Sequence, residues 1–83
     1  MVLENDHLLV RVQETVAEAL QVPVSLVTPD LAFGGIKAWD SMGHMGVMML
    51  LEERFEFSID AEIIAALTSV PAIYDYIQRT GKE

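Results

Sequence analysis

The chain is 83 residues long and 52% hydrophobic, with 13 acidic side chains against 5 basic ones, a formal net charge of -8 and no Cys. A chain this short makes one small domain over residues 1–83 and buries only about 60% of its unfolded surface, which argues against an enzyme with a deep site. Disulfides, thiolate nucleophiles and Cys-based zinc sites are excluded, and the acidic excess repels nucleic acid and anionic membranes while suiting a basic protein surface.

Met1 to Asp6 lacks the basic start of a signal peptide, and the longest uninterrupted apolar run, Val47 to Leu51, falls far short of the roughly 20 residues a membrane span needs. These features predict a soluble cytoplasmic protein, with tails only at its two ends. From Asp6 to Leu20 the apolar residues Leu8, Val12, Val16 and Ala19/Leu20 recur at helical spacing, predicting an amphipathic first helix. Val22 to Ile36 contains two of the three prolines and Gly34-Gly35, which predicts a long loop. Its apolar residues Val27, Leu31, Phe33 and Ile36 are too numerous for a solvated linker, so several of them should anchor it on the core. Trp39 is expected to pack the end of this loop onto the bundle.

Asp40 and Ser41 are both good N-cap residues before an apolar pattern running to about Phe55, the second helix. Phe57 and Ile59 plug the following turn, Asp60 caps a short helix with Ile63, Ile64 and Leu67, and Thr68 or Ser69 caps a last helix whose apolar face is Val70, Ile73 and Ile77. The sum is an all-α fold of four helices, with a long first loop and a short third helix. Its expected core is Leu8, Val12, Val16, Ile36, Val47, Leu51, Phe55, Ile59, Ile63, Val70, Ile73 and Ile77.

The five apolar residues from Val47 to Leu51 point around more than one helical turn, so one core stripe cannot bury them all. With Val47, Leu51 and Phe55 inward, Met42, Met45 and Met49 form a second stripe turned toward solvent, either a docking face or mere filler. Gly43 and Gly46 each cost about 1 kcal/mol in a helix, which fits close access by a partner or tight packing against the preceding loop. Acidic side chains dominate this region, where Asp40, Glu52, Glu53, Glu56, Asp60 and Glu62 face only Arg54. Beside an apolar stripe, such charge orients a basic partner. A serine hydroxyl at a helix start is ordinarily a cap, yet the same position favours a phosphate ester through the free N–H groups and the helix dipole.

Asp40-Ser41-Met42, then Val47, Leu51, Glu52, Glu53, Phe55 and Ile59, then Thr68-Ser69-Val70 and Ile73-Tyr74-Asp75-Tyr76-Ile77, resembles the acyl carrier protein family over nearly the whole chain. The resemblance implies a right-handed four-helix bundle of acyl-carrier type and no catalysis by the chain itself. It implies a 4'-phosphopantetheine arm, derived from coenzyme A and placed on Ser41 by a phosphopantetheinyl transferase, with Asp40 as a transferase contact. Acyl or aminoacyl groups are then carried as thioesters, loaded by an adenylating ligase and passed to acyl-transferring enzymes. Family contact positions fall on Met42, Met45 and Met49, with acidic contacts at Glu52 and Glu53, and the carrier is expected to act as a monomer. Fatty-acid-type carriers have acidic residues just after the serine motif, where this chain has Gly43, His44 and Gly46. Asp40-Ser41-Met42-Gly43 looks like D-alanyl carriers, and the stretch Trp39 to Met45 is similar to stand-alone specialised carriers. A dedicated pathway is therefore expected rather than general fatty acid or lipid biosynthesis.

Two further readings compete. An acidic helical interaction module without a prosthetic group accounts for the charge and the methionines but not for a capping serine inside the whole carrier pattern. A hydrolytic triad of Ser41, His44 and Asp40 is rejected, because residues within one turn of an exposed helix cannot surround a substrate; His44 is expected on the surface or in helix packing. Asp60 and Glu62 lack the alternating ligands and central Gly of a calcium loop, so no structural metal is expected. Because self-repulsion opposes folding at a net charge of -8, moderate salt should raise the melting temperature. A melting temperature that stays flat or falls as salt is added would contradict the charge argument.

Overall fold

The computed structural model describes residues 6–80, and the tails expected at the two ends lie outside them. The described residues form α1 (Asp6–Leu20), α2 (Ser41–Phe55), α3 (Ala61–Ala66) and α4 (Val70–Thr80), with a single 3-10 turn at Val24–Leu26. This is the expected all-α bundle with a long first loop and a short third helix.

Leu8, Val12, Val16 and Leu20 line the buried face of α1 at four-residue spacing, and Val47, Met48, Leu51 and Phe55 line that of α2. Val70, Ile73 and Ile77 complete the core from α4. The backbone leaves α1 through Gln21 in the left-handed region (φ 58°), with the Val22 N–H bonded to the Ala17 carbonyl, as in a Schellman closure. Asp60 caps α3 by accepting from the Ile63 N–H at 2.9 Å, and Ser69 rather than Thr68 caps α4 by accepting from the Ala72 N–H at 3.1 Å.

The long loop is pinned at four places. Gln13 Nε2 donates to the Val27 carbonyl at 2.6 Å, and Val27, Leu31 and Trp39 are buried. An antiparallel bridge between Ala32 and Ser69, flanked by Phe33 N–H to Thr68 O and Val70 N–H to Leu31 O, ties the loop to the start of α4. Of the expected core, Ile36, Ile59 and Ile63 are only half-buried. Their places are filled by Trp39, Met48, Leu67, Val27 and Leu31. The loop and the α3–α4 junction bury these residues from directions that helical periodicity does not encode.

The two glycines of α2 differ in kind. A Cβ on Gly43 would run into the Ala38 carbonyl oxygen and lie 2.8 Å from Leu20 Cδ2, so the packing of α2 on α1 and the loop requires glycine there. At Gly46 the nearest atom to an added Cβ is Ala19 O at 3.7 Å, an ordinary contact. Tight packing therefore explains Gly43 and leaves Gly46 unexplained. Gly43→Ala should destabilise the fold by about 2 kcal/mol through overpacking. Gly46→Ala should stabilise it by about 0.5–1 kcal/mol through helix propensity. Chemical denaturation of both variants checks this, and shifts of the same sign would refute it.

Candidate functional site at the start of the second helix

Asp40 sits in extended backbone just before α2, and its Oδ1 accepts from the Gly43 N–H at 2.8 Å while its carbonyl accepts from the His44 N–H at 2.7 Å. Asp40 is thus the cap, which leaves Ser41 as the first helical residue. Ser41 is exposed, and its hydroxyl makes no hydrogen bond to any described residue. The other serines lack this combination. Ser69 Oγ is committed to the Ala72 N–H, Ser25 lies in the short 3-10 turn, and Ser58 lies in the α2–α3 connection.

The residues at Ser41 fit a phosphate-linked group. The N–H groups of Ser41 and Met42 have no carbonyl one turn back, α2 is 15 residues long, and its first turn contains no acidic side chain. Asp40 is the nearby carboxylate in sequence, and one of its oxygens is engaged by the Gly43 N–H.

His44 lies on the inner side of the same helix start and is only 5% exposed. Of the two places expected for it, the surface or helix packing, it occupies the second. Trp39 Nε1–H donates to His44 Nδ1 at 3.0 Å, and His44 Nε2 lies 2.8 Å from the Ile64 carbonyl. An indole N–H only donates, so Nδ1 carries no proton and Nε2–H donates to Ile64. Phe33 meets the same ring edge-on at 5.6 Å between centroids. With both nitrogens committed inside the protein, His44 does not serve Ser41 as a base. The pair works as packing.

On the outer side, Met42, Met45 and Met49 are 86%, 43% and 61% exposed, forming the expected ridge, whereas Met48 is fully buried. Glu53 is exposed one turn beyond Met49. Glu52 is half-buried, with Oε2 accepting from the Ile59 N–H at 3.3 Å, so it also holds the α2–α3 connection. Arg54 pairs with Glu18 of α1 at 2.6 Å, and Arg11 covers the Phe55 ring at 4.7 Å. Sequence reasoning missed two features. One is the link from Trp39 through His44 to Ile64, signalled only by a histidine amid apolar residues five positions after a tryptophan. The other is an open groove between α1 and α2, lined by Ala19, Gly46, Met49, Leu50, Glu52 and Glu53.

Residues 10–77 match the family described as a phosphopantetheine attachment site. The chain is 34% identical over 76 residues to an acyl carrier protein of Exiguobacterium sp., an alignment covering 92% of this chain and 96% of that one. It is 32% identical over 75 residues to an acyl carrier protein of Rubrobacter xylanophilus, covering 90% and 93%, and 33% identical over 76 residues to one of Exiguobacterium sibiricum, covering 92% and 96%. With this match over nearly its full length, the chain belongs to the acyl carrier protein family, non-catalytic carriers with a covalently attached 4'-phosphopantetheine.

Proposed function

We propose that Ser41 is the attachment point of the 4'-phosphopantetheine arm and that the protein carries acyl or aminoacyl groups on it for a dedicated pathway. The observation that carries this reading is the division of labour at the start of α2, where Asp40 caps the helix and leaves the exposed Ser41 hydroxyl uncommitted. When bound, the arm supplies a thiol that forms thioesters with the cargo. The chain's own residues present the serine, offer N–H groups and the positive helix end to the phosphate, and keep the bundle beneath it rigid.

Partners read the outer face of α2, where Met42, Met45 and Met49 give adaptable apolar contact and Glu52 and Glu53 give charge. These partners are the phosphopantetheinyl transferase, which contacts Asp40 beside Ser41, an adenylating ligase that loads the cargo, and downstream acyl-transferring enzymes. A dedicated pathway, rather than general fatty acid synthesis, is supported by what occupies the first turns of α2. Gly43 is needed for packing and His44 is buried, so neither position presents an acidic contact to a partner. The protein acts as a monomeric, single-domain cytoplasmic carrier.

Intact mass before and after incubation with coenzyme A and a broad-specificity phosphopantetheinyl transferase tests the assignment. The wild type should gain one phosphopantetheine and Ser41→Ala none, with the variant still folded because the Asp40 cap remains. A gain that persists in Ser41→Ala, or no gain in the wild type where another carrier is modified, would overturn the assignment.

A further inference from the structure

The chain holds no Cys, so its methionine thioethers are the sulfur atoms the polypeptide itself offers to an oxidant. Four of the five methionines lie on α2, in very different surroundings. Met48 is sealed in the core at 0% exposure, whereas Met42, the residue after Ser41, is 86% exposed and is the most open of the large apolar side chains among the described residues. Met45 and Met49 lie between these extremes. Oxidation of a thioether by a peroxide requires access to the sulfur, and it turns a flexible apolar side chain into a polar one. Under an apolar partner surface the sulfoxide oxygen loses water without gaining a donor, which weakens the contact. Met42 is no part of the hydrophobic core, so the same change leaves the bundle packed as before.

We propose that Met42 is a reversible oxidation site, at which a small hydroperoxide converts the thioether to the sulfoxide and so hinders modification of the neighbouring Ser41. A sulfur lone pair attacks one peroxide oxygen, the O–O bond breaks, and the departing oxygen takes the peroxide proton and leaves as water or an alcohol. The sulfur gives up two electrons and the peroxide receives them. Hydrogen peroxide is neutral, so the net charge of -8 does not keep it away. A methionine sulfoxide reductase supplied with a dithiol reverses the step, the sulfoxide oxygen leaving as water while the two thiols become a disulfide. The inference rests on the reading of Ser41 as the attachment point and adds regulation to it. The phosphopantetheinyl transferase is the partner affected, because an enzyme that reaches Ser41 also covers the side chain beside it.

The test treats the wild type and Met42→Leu with graded hydrogen peroxide and removes the oxidant. Oxidation at each methionine is then mapped by peptide mass, and transferase kinetics are measured with coenzyme A. Each protein is compared with its own untreated sample. Met42 should oxidise before Met45 and Met49, with Met48 last, and the melting temperature should hold while only Met42 is changed. The wild-type KM for the carrier should rise by about tenfold when Met42 is fully oxidised and return after treatment with the reductase and dithiothreitol. Met42→Leu should keep its own untreated KM through the same dose. An unchanged wild-type KM, an equal rise in Met42→Leu, oxidation of another of these methionines ahead of Met42, or a rise that reduction does not reverse would overturn the oxidation site and leave the carrier reading standing. Failure of the untreated wild type to be modified would remove the carrier reading and this inference with it.

Discussion

The start of α2 depends on one buried imidazole. His44 takes a hydrogen bond from Trp39, the residue just before the Asp40-Ser41 pair, and gives one to the Ile64 carbonyl of α3. A single side chain therefore ties the end of the long loop, the second helix and the third helix together, directly under Ser41. Both ring nitrogens and the indole nitrogen are satisfied, and no buried side-chain polar atom among the described residues lacks a partner. Removing the ring would orphan a buried donor and a carbonyl, at a cost of about 1–3 kcal/mol for each group left unpaired. α3 has only six residues, none of them fully buried, so this link and the Asp60 cap matter more to it than its own burial.

A rigid inner side frees the outer side for function. Because Asp40 closes the helix end, the Ser41 hydroxyl bonds to no described residue, and because His44 faces inward with both ring nitrogens engaged, its imidazole is not a base for Ser41. The methionine ridge and the acidic residues beyond it are then surface without an internal role, apart from Glu52, which also steadies the turn after α2. Charge and exposed apolar area both oppose the stability of so small a domain, and both suit repeated, reversible docking. A helical module without a prosthetic group would share those features, but the family match and the uncommitted serine set this chain apart from it.

Much of this was legible in the sequence because helices announce themselves. The four-residue spacing in α1, the capping residues Asp40, Asp60 and Ser69, and the split of α2 into an inward and an outward stripe all follow from local rules. What local rules do not contain is where a loop folds back. Trp39, Val27 and Leu31 are buried because the long loop crosses the bundle, and they displace Ile36, Ile59 and Ile63 from the places periodicity would give them. Likewise Gly43 and Gly46 look alike in sequence. Only the approach of the Ala38 carbonyl to one of them, and open space beside the other, separates a packing requirement from an opening. For His44 the sequence left surface and helix packing open for the same reason, since the partners that settle it as packing lie 5 and 20 residues away.

If His44 holds the helix start from inside and leaves Ser41 free outside, its ring is locked in one tautomer. Long-range proton–nitrogen NMR of the His44 ring at neutral pH tests it most directly. The ring should carry a proton on Nε2 and none on Nδ1, and the Trp39 indole proton should exchange slowly with water. A proton on Nδ1, or a ring sampling both tautomers beside a rapidly exchanging Trp39 indole, would contradict it.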